Sequence, residues 1–479
     1  MNYRMIGYLL GIIILIEAAL MALPMGVALI YQENSLPFVI TIAIMLAICL
    51  PFVIFKPKNN QIYAKEGFVT VAAGWILLSL FGAIPFVIGG AIPNYINAFF
   101  ETVSGFTTTG ATILGEIESL PRGILFWRSF THWIGGMGVL VFMLAILPSK
   151  NGQTMHLMRA EVPGPTKGKL VPKMRQTALI LYGIYIVLTL VQVVCLLLCK
   201  MPLYDSFVTA FATAGTGGFS VLNSSIAGYN NPAAEWVIAI FMFIFGVNFN
   251  IFFLILIGKL RDAIKSEEFK VYALLCLSSV AVITINTANS FERLGDCLRT
   301  SFFQVISIMS TTGFVTTDFA LWHVLSKTVL IWLMMIGACA GSTAGGLKIS
   351  RVLILLKNVF REIKHMLRPR SVNVVRLDGE VVPDETVRSA TGYFVLYMTL
   401  IIGTVLLISV DGFGFETNFT ATLSCINNIG PALGEIGPTG NFSGYSGFSK
   451  VVLSLNMLLG RLEIMPMVIL FSPLTWKKR

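Results

Sequence analysis

The sequence predicts an all-α integral membrane protein, and three observations lead there. Of 479 residues, 56% are hydrophobic and 12% charged, with a mean hydropathy of +0.80; a soluble domain would carry about a quarter charged residues. Ten apolar runs each supply the roughly 20 helical residues that a bilayer core of about 30 Å requires. When alternate connections are assigned to opposite sides, 26 of the 34 Lys and Arg fall on one side and 6 on the other. The first observation excludes soluble enzymes. The third turns the net charge of +10 into a topology signal, with the basic side and both termini cytoplasmic, and removes nucleic acid as a partner.

The runs lie near 5–30, 36–55, 68–92, 123–147, 177–199, 233–257, 271–289, 324–345, 389–410 and 448–472. The first two form an N-terminal hairpin within residues 1–60. The first run follows Arg4 and ends in Tyr31-Gln32-Glu33-Asn34 with no small-residue cleavage site, so it reads as a retained helix rather than a signal peptide. The remaining eight runs pair into four units, 61–150, 151–262, 263–370 and 371–479.

Each unit carries a shorter segment between its two runs. These begin at Asn97, Ser206, Thr300 and Asn418, and in each a Phe precedes a Gly by eleven residues: Phe99 and Gly110, Phe207 and Gly218, Phe302 and Gly313, Phe419 and Gly430. The glycines recur after 108, 95 and 117 residues, an internal repeat with a period near 100. The segments are too short to cross. If 94–109 did cross, the six basic residues of 148–176 would move to the opposite side. The segments therefore enter and leave by one face. Lipid cannot satisfy non-helical backbone, so four such segments require a shared, protein-lined cavity.

Asn94, Asp205 and Asp296 stand where N-caps would open short helices. Each helix then points its partly negative C-terminal end inward. It is followed by Thr107-Thr108-Thr109-Gly110, Gly215-Thr216-Gly217-Gly218, Ser310-Thr311-Thr312-Gly313 or Asn427-Asn428-Ile429-Gly430. Carbonyl-bearing strips without acidic side chains suit a dehydrating monovalent cation rather than a divalent one. A single Thr/Gly cluster reads more readily as a helix-packing contact; four in register do not.

These residues resemble the superfamily of K⁺ transporters containing Trk, Ktr and the plant HKT proteins, and most closely its TrkH branch. The resemblance rests on TTTGAT (107–112), WIGGMG (133–138), RAEVPGP (159–165), STTGF (310–314), GACAGSTAGGLK (337–348), NNIGPALGE (427–435) and GRLE (460–463), and covers essentially the whole chain. It implies four membrane–pore–membrane repeats around one pseudo-fourfold pore, preceded by two extra helices. It carries K⁺-filter roles to Thr108, Thr109, Gly110, Thr216, Gly217, Gly218, Thr311, Thr312, Gly313, Asn428, Ile429 and Gly430. The second and fourth strips depart from Thr-Thr-Gly, so the ring is not chemically fourfold. In the family, serine at the first glycine goes with Na⁺ transport; Gly110 here favours K⁺.

The resemblance also points to two gates. Arg461, within the last run, becomes an electrostatic barrier below the filter. Read without the family, an intramembrane arginine faces a cavity or a partner, and Glu463, two positions on, shares no helical face with it unless the helix is broken. Gly337, Gly341 and Gly345 recur at every fourth position, as in a packing face, but Ser342, Thr343, Gly345-Gly346 and Lys348 favour a broken helix. The family makes this stretch a pore-blocking loop.

The remaining features are plain. The seven cysteines show no paired or metal-ligand spacing, and His132, His156, His323 and His365 form no catalytic set. His132 beside Trp133 reads as an interhelical hydrogen bond. The basic stretch 357–370 reads as an inner-leaflet lipid contact. The resemblance implies inward K⁺ conduction at the bacterial inner membrane, no resident cofactor, a homodimer, and a TrkA-type nucleotide-binding regulatory subunit, for which 159–169 and 367–379 are candidate seats. Na⁺- or H⁺-coupled K⁺ symport is the alternative. An intramembrane enzyme lacks a nucleophile–base set.

Overall fold

A computed structural model of the protein describes residues 1–57, 59, 62–138 and 174–476. Helices dominate. Among the described residues the only sheet is an antiparallel hairpin, Arg376–Leu377 with Glu380–Val381. It turns on Asp378 and Gly379 at φ of 53° and 82°, the left-handed pair that a tight two-residue turn demands. The candidate regulatory seat at 367–379 thus folds into this hairpin, clamped by reciprocal bonds between Glu267 and Asp378 of 2.7 and 3.1 Å. The other candidate seat, 159–169, lies outside the described residues.

Among the described residues, six helices are long and apolar enough to cross a membrane: Tyr3–Ile30, Leu36–Ile54, Ala64–Ile88, Ala178–Leu198, Glu267–Ser290 and Asp384–Asp411. They cover six of the ten apolar runs. The others, which are the second run of each unit, are not continuous helices among the described residues. Arg122–Gly136 is described only as far as residue 138. Pro232–Phe245 and Phe249–Leu256 meet at 91°. Val324–Met335 stops well short of 345. Gly447–Arg461 breaks at 462–464, where Glu463 and Ile464 have φ of 54° and 65°, before Met465–Phe471 resumes.

Three expected single spans, 233–257, 324–345 and 448–472, are therefore broken. Apolar composition reports compatibility with lipid; helix continuity depends on where the backbone groups bond. At 462–464 the N–H groups turn back onto Leu458, Gly460 and Leu459 O; at the other two breaks they bond outside their own helix, as burial requires. Phe249 N–H donates to Gly341 O (3.0 Å), Cys339 N–H to Gly246 O (3.1 Å) and Gly337 N–H to Leu347 O (2.9 Å).

The four short helices are Tyr95–Phe106, Leu203–Gly215, Leu294–Met309 and Phe415–Asn427. Their C-terminal halves are almost wholly buried, so they form the centre around which the long helices pack. Asn94 caps the first, its side chain accepting from Ile96 and Asn97 N–H. Asp205 and Asp296 do not cap. Pro202 and Arg293 hold the N-cap positions, and the acids sit one turn in, where a negative charge still favours the helix dipole.

Candidate functional site

All four short helices end in the same way. The residue after the C-cap, or the C-cap itself by hydrogen-bond assignment, is left-handed: Thr108 at φ 56°, Thr216 at 58°, Thr311 at 56° and Asn428 at 55°. The N–H of the next residue reaches back five positions, Thr109 to Ser104 O (2.8 Å), Gly217 to Ala212 O (2.8 Å), Thr312 to Ser307 O (2.9 Å) and Ile429 to Ser424 O (2.9 Å). This is the Schellman closure, which normally places glycine at the left-handed position. Threonine there is strained by about 1–2 kcal/mol, and such strain persists only where the surroundings over-determine it.

Two residues further on, Gly110, Gly218, Gly313 and Gly430 are left-handed as well, at 80°, 75°, 81° and 102°. Their neighbours define a ring. A Cβ on Gly110 would stand 2.0 Å from Gly217 O, one on Gly218 2.2 Å from Thr312 O, one on Gly313 1.9 Å from Ile429 O, and one on Gly430 2.7 Å from Thr109 O. Each strip abuts the next in chain order, and the fourth abuts the first. The ring closes through backbone alone, so no side chain larger than hydrogen fits at these seams.

The ring is buried: Thr108, Thr109, Thr216, Thr311, Thr312, Asn428 and Ile429 are all 0% exposed. Among the described residues, the carbonyls of these seven residues accept no hydrogen bond. A buried carbonyl needs a partner, and seven gathered in a ring can accept a dehydrated cation or water. Hydroxyls stiffen the ring from behind, Thr107 with Thr109 (2.8 Å) and Ser310 with Thr312 (2.7 Å). Asn428 Nδ2 ties strip four to strip one, donating to Thr109 Oγ1 (3.0 Å) and to Met457 O (3.0 Å).

Next to the ring lies the loop 336–348. Gly345 N–H donates to Thr311 Oγ1 (2.7 Å), and a Cβ on Gly345 would stand 2.5 Å from Asn427 O, so the loop presses on strips three and four. Gly341 and Gly346 take left-handed φ of 70° and 74°, and a Cβ on Gly337 would stand 2.4 Å from Gly345 O. Lys348, 2% exposed, turns its ammonium back onto Ala344 O and Gly345 O. Arg461 donates to Thr343 O (2.7 Å), Gly135 O (2.5 Å) and Gly136 O (2.8 Å). The structure thus brings together two groups of residues that the sequence offers separately. Glu463 pairs with Arg351 rather than with Arg461, because the break at 462–464 turns it away.

Three supports hold the ring and the loop, of which sequence reasoning missed the first two. Glu268 Oε1 accepts from Ala340 N–H (2.7 Å) and Ser350 N–H (3.1 Å), pinning both ends of the loop. Glu101 and Arg128 form an ion pair at 2.7 Å with side chains 0% and 1% exposed. Glu101 also accepts from Thr112 Oγ1 and Ile113 N–H, while Arg128 donates to Ser220 O (3.0 Å) and lies 3.5 Å over the Phe219 ring. The pair therefore braces the chain just beyond strips one and two. The third support, His132, makes the interhelical bond expected of it and one bond more. Its Nδ1 lies 2.7 Å from Gly105 O and its Nε2 accepts from Phe219 N–H (3.3 Å), bridging the same two strips. An isolated Glu or Arg inside an apolar run is the signal that could have found the ion pair.

Fold and site define an α-helical membrane protein built around a closed ring of buried backbone carbonyls. The chain belongs to the TrkH family, described as cation transport protein, which it matches over residues 36–478. It is 34% identical over 487 residues to the Trk system potassium uptake protein TrkH of Salmonella typhimurium, covering 100% of both chains. It is 33% identical over 484 residues to the Trk system potassium uptake protein TrkG of Escherichia coli, covering 99% of each. The crystal structure of the potassium transporter TrkH from Vibrio parahaemolyticus superposes with a TM-score of 0.90 at 31% identity over 100% of both chains.

Proposed function

We propose that this protein takes up K⁺ through the carbonyl ring, which acts as a channel-like filter. The seven buried carbonyls without protein donors carry this reading, since a partly dehydrated K⁺ replaces its water shell with such oxygens. Four membrane–pore–membrane repeats, 61–150, 151–262, 263–370 and 371–479, surround the pore after the hairpin 1–60. The seam order, strip one to two to three to four to one, supports this arrangement. K⁺ moves passively down its electrochemical gradient at the bacterial inner membrane, with both termini cytoplasmic, as the basic-residue asymmetry favours.

The loop 336–348 and Arg461 form the gate. Their position against the ring supports the assignment: a fixed positive charge beside the path raises the barrier for a cation, and the loop fills the space beside strips three and four. A TrkA-type cytosolic nucleotide-binding subunit operates the gate, and the protein works as a homodimer, as the family resemblance implies.

The test is K⁺ flux into proteoliposomes under an imposed K⁺ gradient, repeated with Na⁺ and with pH gradients. Flux that follows the K⁺ gradient alone supports the filter reading. Uphill K⁺ accumulation driven by a Na⁺ or pH gradient overturns it in favour of coupled symport.

A further inference from the structure

We infer that a phospholipid with a phosphate and a primary ammonium in its headgroup occupies a groove between the helices Ile349–Leu367 and Asp384–Ile408. Two adjoining cavities share Arg361 and Arg388. One, of about 300 Å³, is polar and is lined by those arginines with Glu362, His365, Asn373 and Asp384. The other, of about 480 Å³, runs along one helix from Val387 past Gly392, Val395 and Leu396 to Thr399. A compartment with a charged end and an apolar trough has the shape of an amphiphile.

The dimensions fit one leaflet. Val387 to Thr399 spans twelve residues, about 18 Å of helix, against about 15 Å for half the hydrocarbon core. The trough lies in a helix long and apolar enough to cross the membrane, and Val395 is 60% exposed within it, so lipid is the medium it meets.

The charges choose the headgroup. Arg361 is already engaged, with Asp384 (2.6 Å) and Glu362 (3.2 Å). Arg388 makes no hydrogen bond or ion pair with a described residue, which leaves a guanidinium fork for a phosphate. Two carboxylates balance the two guanidinium groups in the polar cavity. A purely anionic headgroup would face both carboxylates, whereas a primary ammonium donates hydrogen bonds to them. A choline headgroup has no N–H to donate. The choice of the inner leaflet rests on the proposed orientation; the headgroup preference does not.

The full-length protein, delipidated in detergent and titrated with phosphatidylethanolamine, phosphatidylglycerol or phosphatidylcholine of matched chains, reads this out by native mass spectrometry. Phosphatidylethanolamine should be retained preferentially. Arg388→Ala, a change at an exposed side chain that the fold tolerates, should lower its affinity about tenfold, the loss expected for one charge-assisted contact, with Arg388→Lys intermediate. Val395→Trp should block the trough and remove the adduct while leaving Arg388 in place. Equal retention of the three lipids, preference for phosphatidylglycerol, or indifference to both Arg388→Ala and Val395→Trp would overturn the assignment. Oxidative cross-linking of Val395→Cys to a second copy would overturn it too, by making this face a protein interface.

Discussion

Arg461 Nη1 donates to the carbonyl oxygen of Thr343 at 2.7 Å, joining the broken end of the last long helix to the loop beside the ring. The same guanidinium holds Gly135 O and Gly136 O, where the helix Arg122–Gly136 ends. One side chain therefore bonds carbonyls of two separate segments, which is how an arginine at this depth is stabilised.

Arg461→Ala should open the path. A unit charge about 8 Å from a cation at an effective dielectric of about 20 contributes about 2 kcal/mol, or roughly thirtyfold in rate. Deleting 340–346 should also raise basal K⁺ flux. If the two groups act as one gate, the combined variant should be no leakier than the worse single one. Additive leaks in a liposome Rb⁺ uptake assay would separate them.

The four seam glycines should differ in tolerance. Alanine at Gly110, Gly218 or Gly313 places its Cβ 1.9–2.2 Å from a backbone oxygen that cannot yield without opening the ring. At Gly430 the clearance is 2.7 Å. K⁺ uptake measured in a K⁺-uptake-deficient strain should fall much further with the first three substitutions than with Gly430→Ala. Gly110→Ser should in addition raise Na⁺ permeation relative to K⁺, because the displaced Gly217 carbonyl alters the cage. An unchanged ion ratio in a functional Gly110→Ser protein would count against the filter.

Asn428 does two things: it holds a left-handed turn and it ties strip four to Thr109. Asn428→Gly relieves the backbone and removes the tie, whereas Asn428→Ala removes the tie and adds about 1–2 kcal/mol of strain. Both should lose K⁺ over Na⁺ discrimination, measured as competition for Rb⁺ uptake, and the alanine variant should also show the lower thermal midpoint.

Glu101→Gln leaves Arg128 charged and unpaired in the interior, a change that costs about 3–5 kcal/mol. The double variant Glu101→Leu with Arg128→Met should recover much of that stability in a detergent melting assay. Its transport should not recover, because Ser220 O, Thr112 Oγ1 and Ile113 N–H lose the partners that position strips one and two.

The four strips were legible in the sequence because a re-entrant segment must combine short length, small residues and a return to its starting side, and Gly110, Gly218, Gly313 and Gly430 recur in one register with all three features. The breaks were less so. Ser342 and Gly345-Gly346 hinted at the loop, but nothing in Leu462-Glu463-Ile464 marks a residue type that breaks helices; Ile464 at φ 65° is β-branched and unsuited to that conformation. There the backbone closes on its own last turn, Glu463 N–H returning to Gly460 O (3.2 Å) and Ile464 N–H to Leu459 O (2.7 Å), while the Glu463 side chain reaches Arg351 on another helix.

The sequence by itself determined the apolar runs, the fourfold recurrence of the strips and the uneven share of basic residues between alternate connections, because these follow from chain-local hydropathy, spacing and charge. Tertiary structure decided that strip four closes on strip one, that Arg461 and Thr343 share a bond, and that Glu463 answers Arg351 instead. Those pairings join residues 118 and 112 positions apart, and backbone groups buried at depth select their partners by three-dimensional proximity, which no local pattern of side chains encodes.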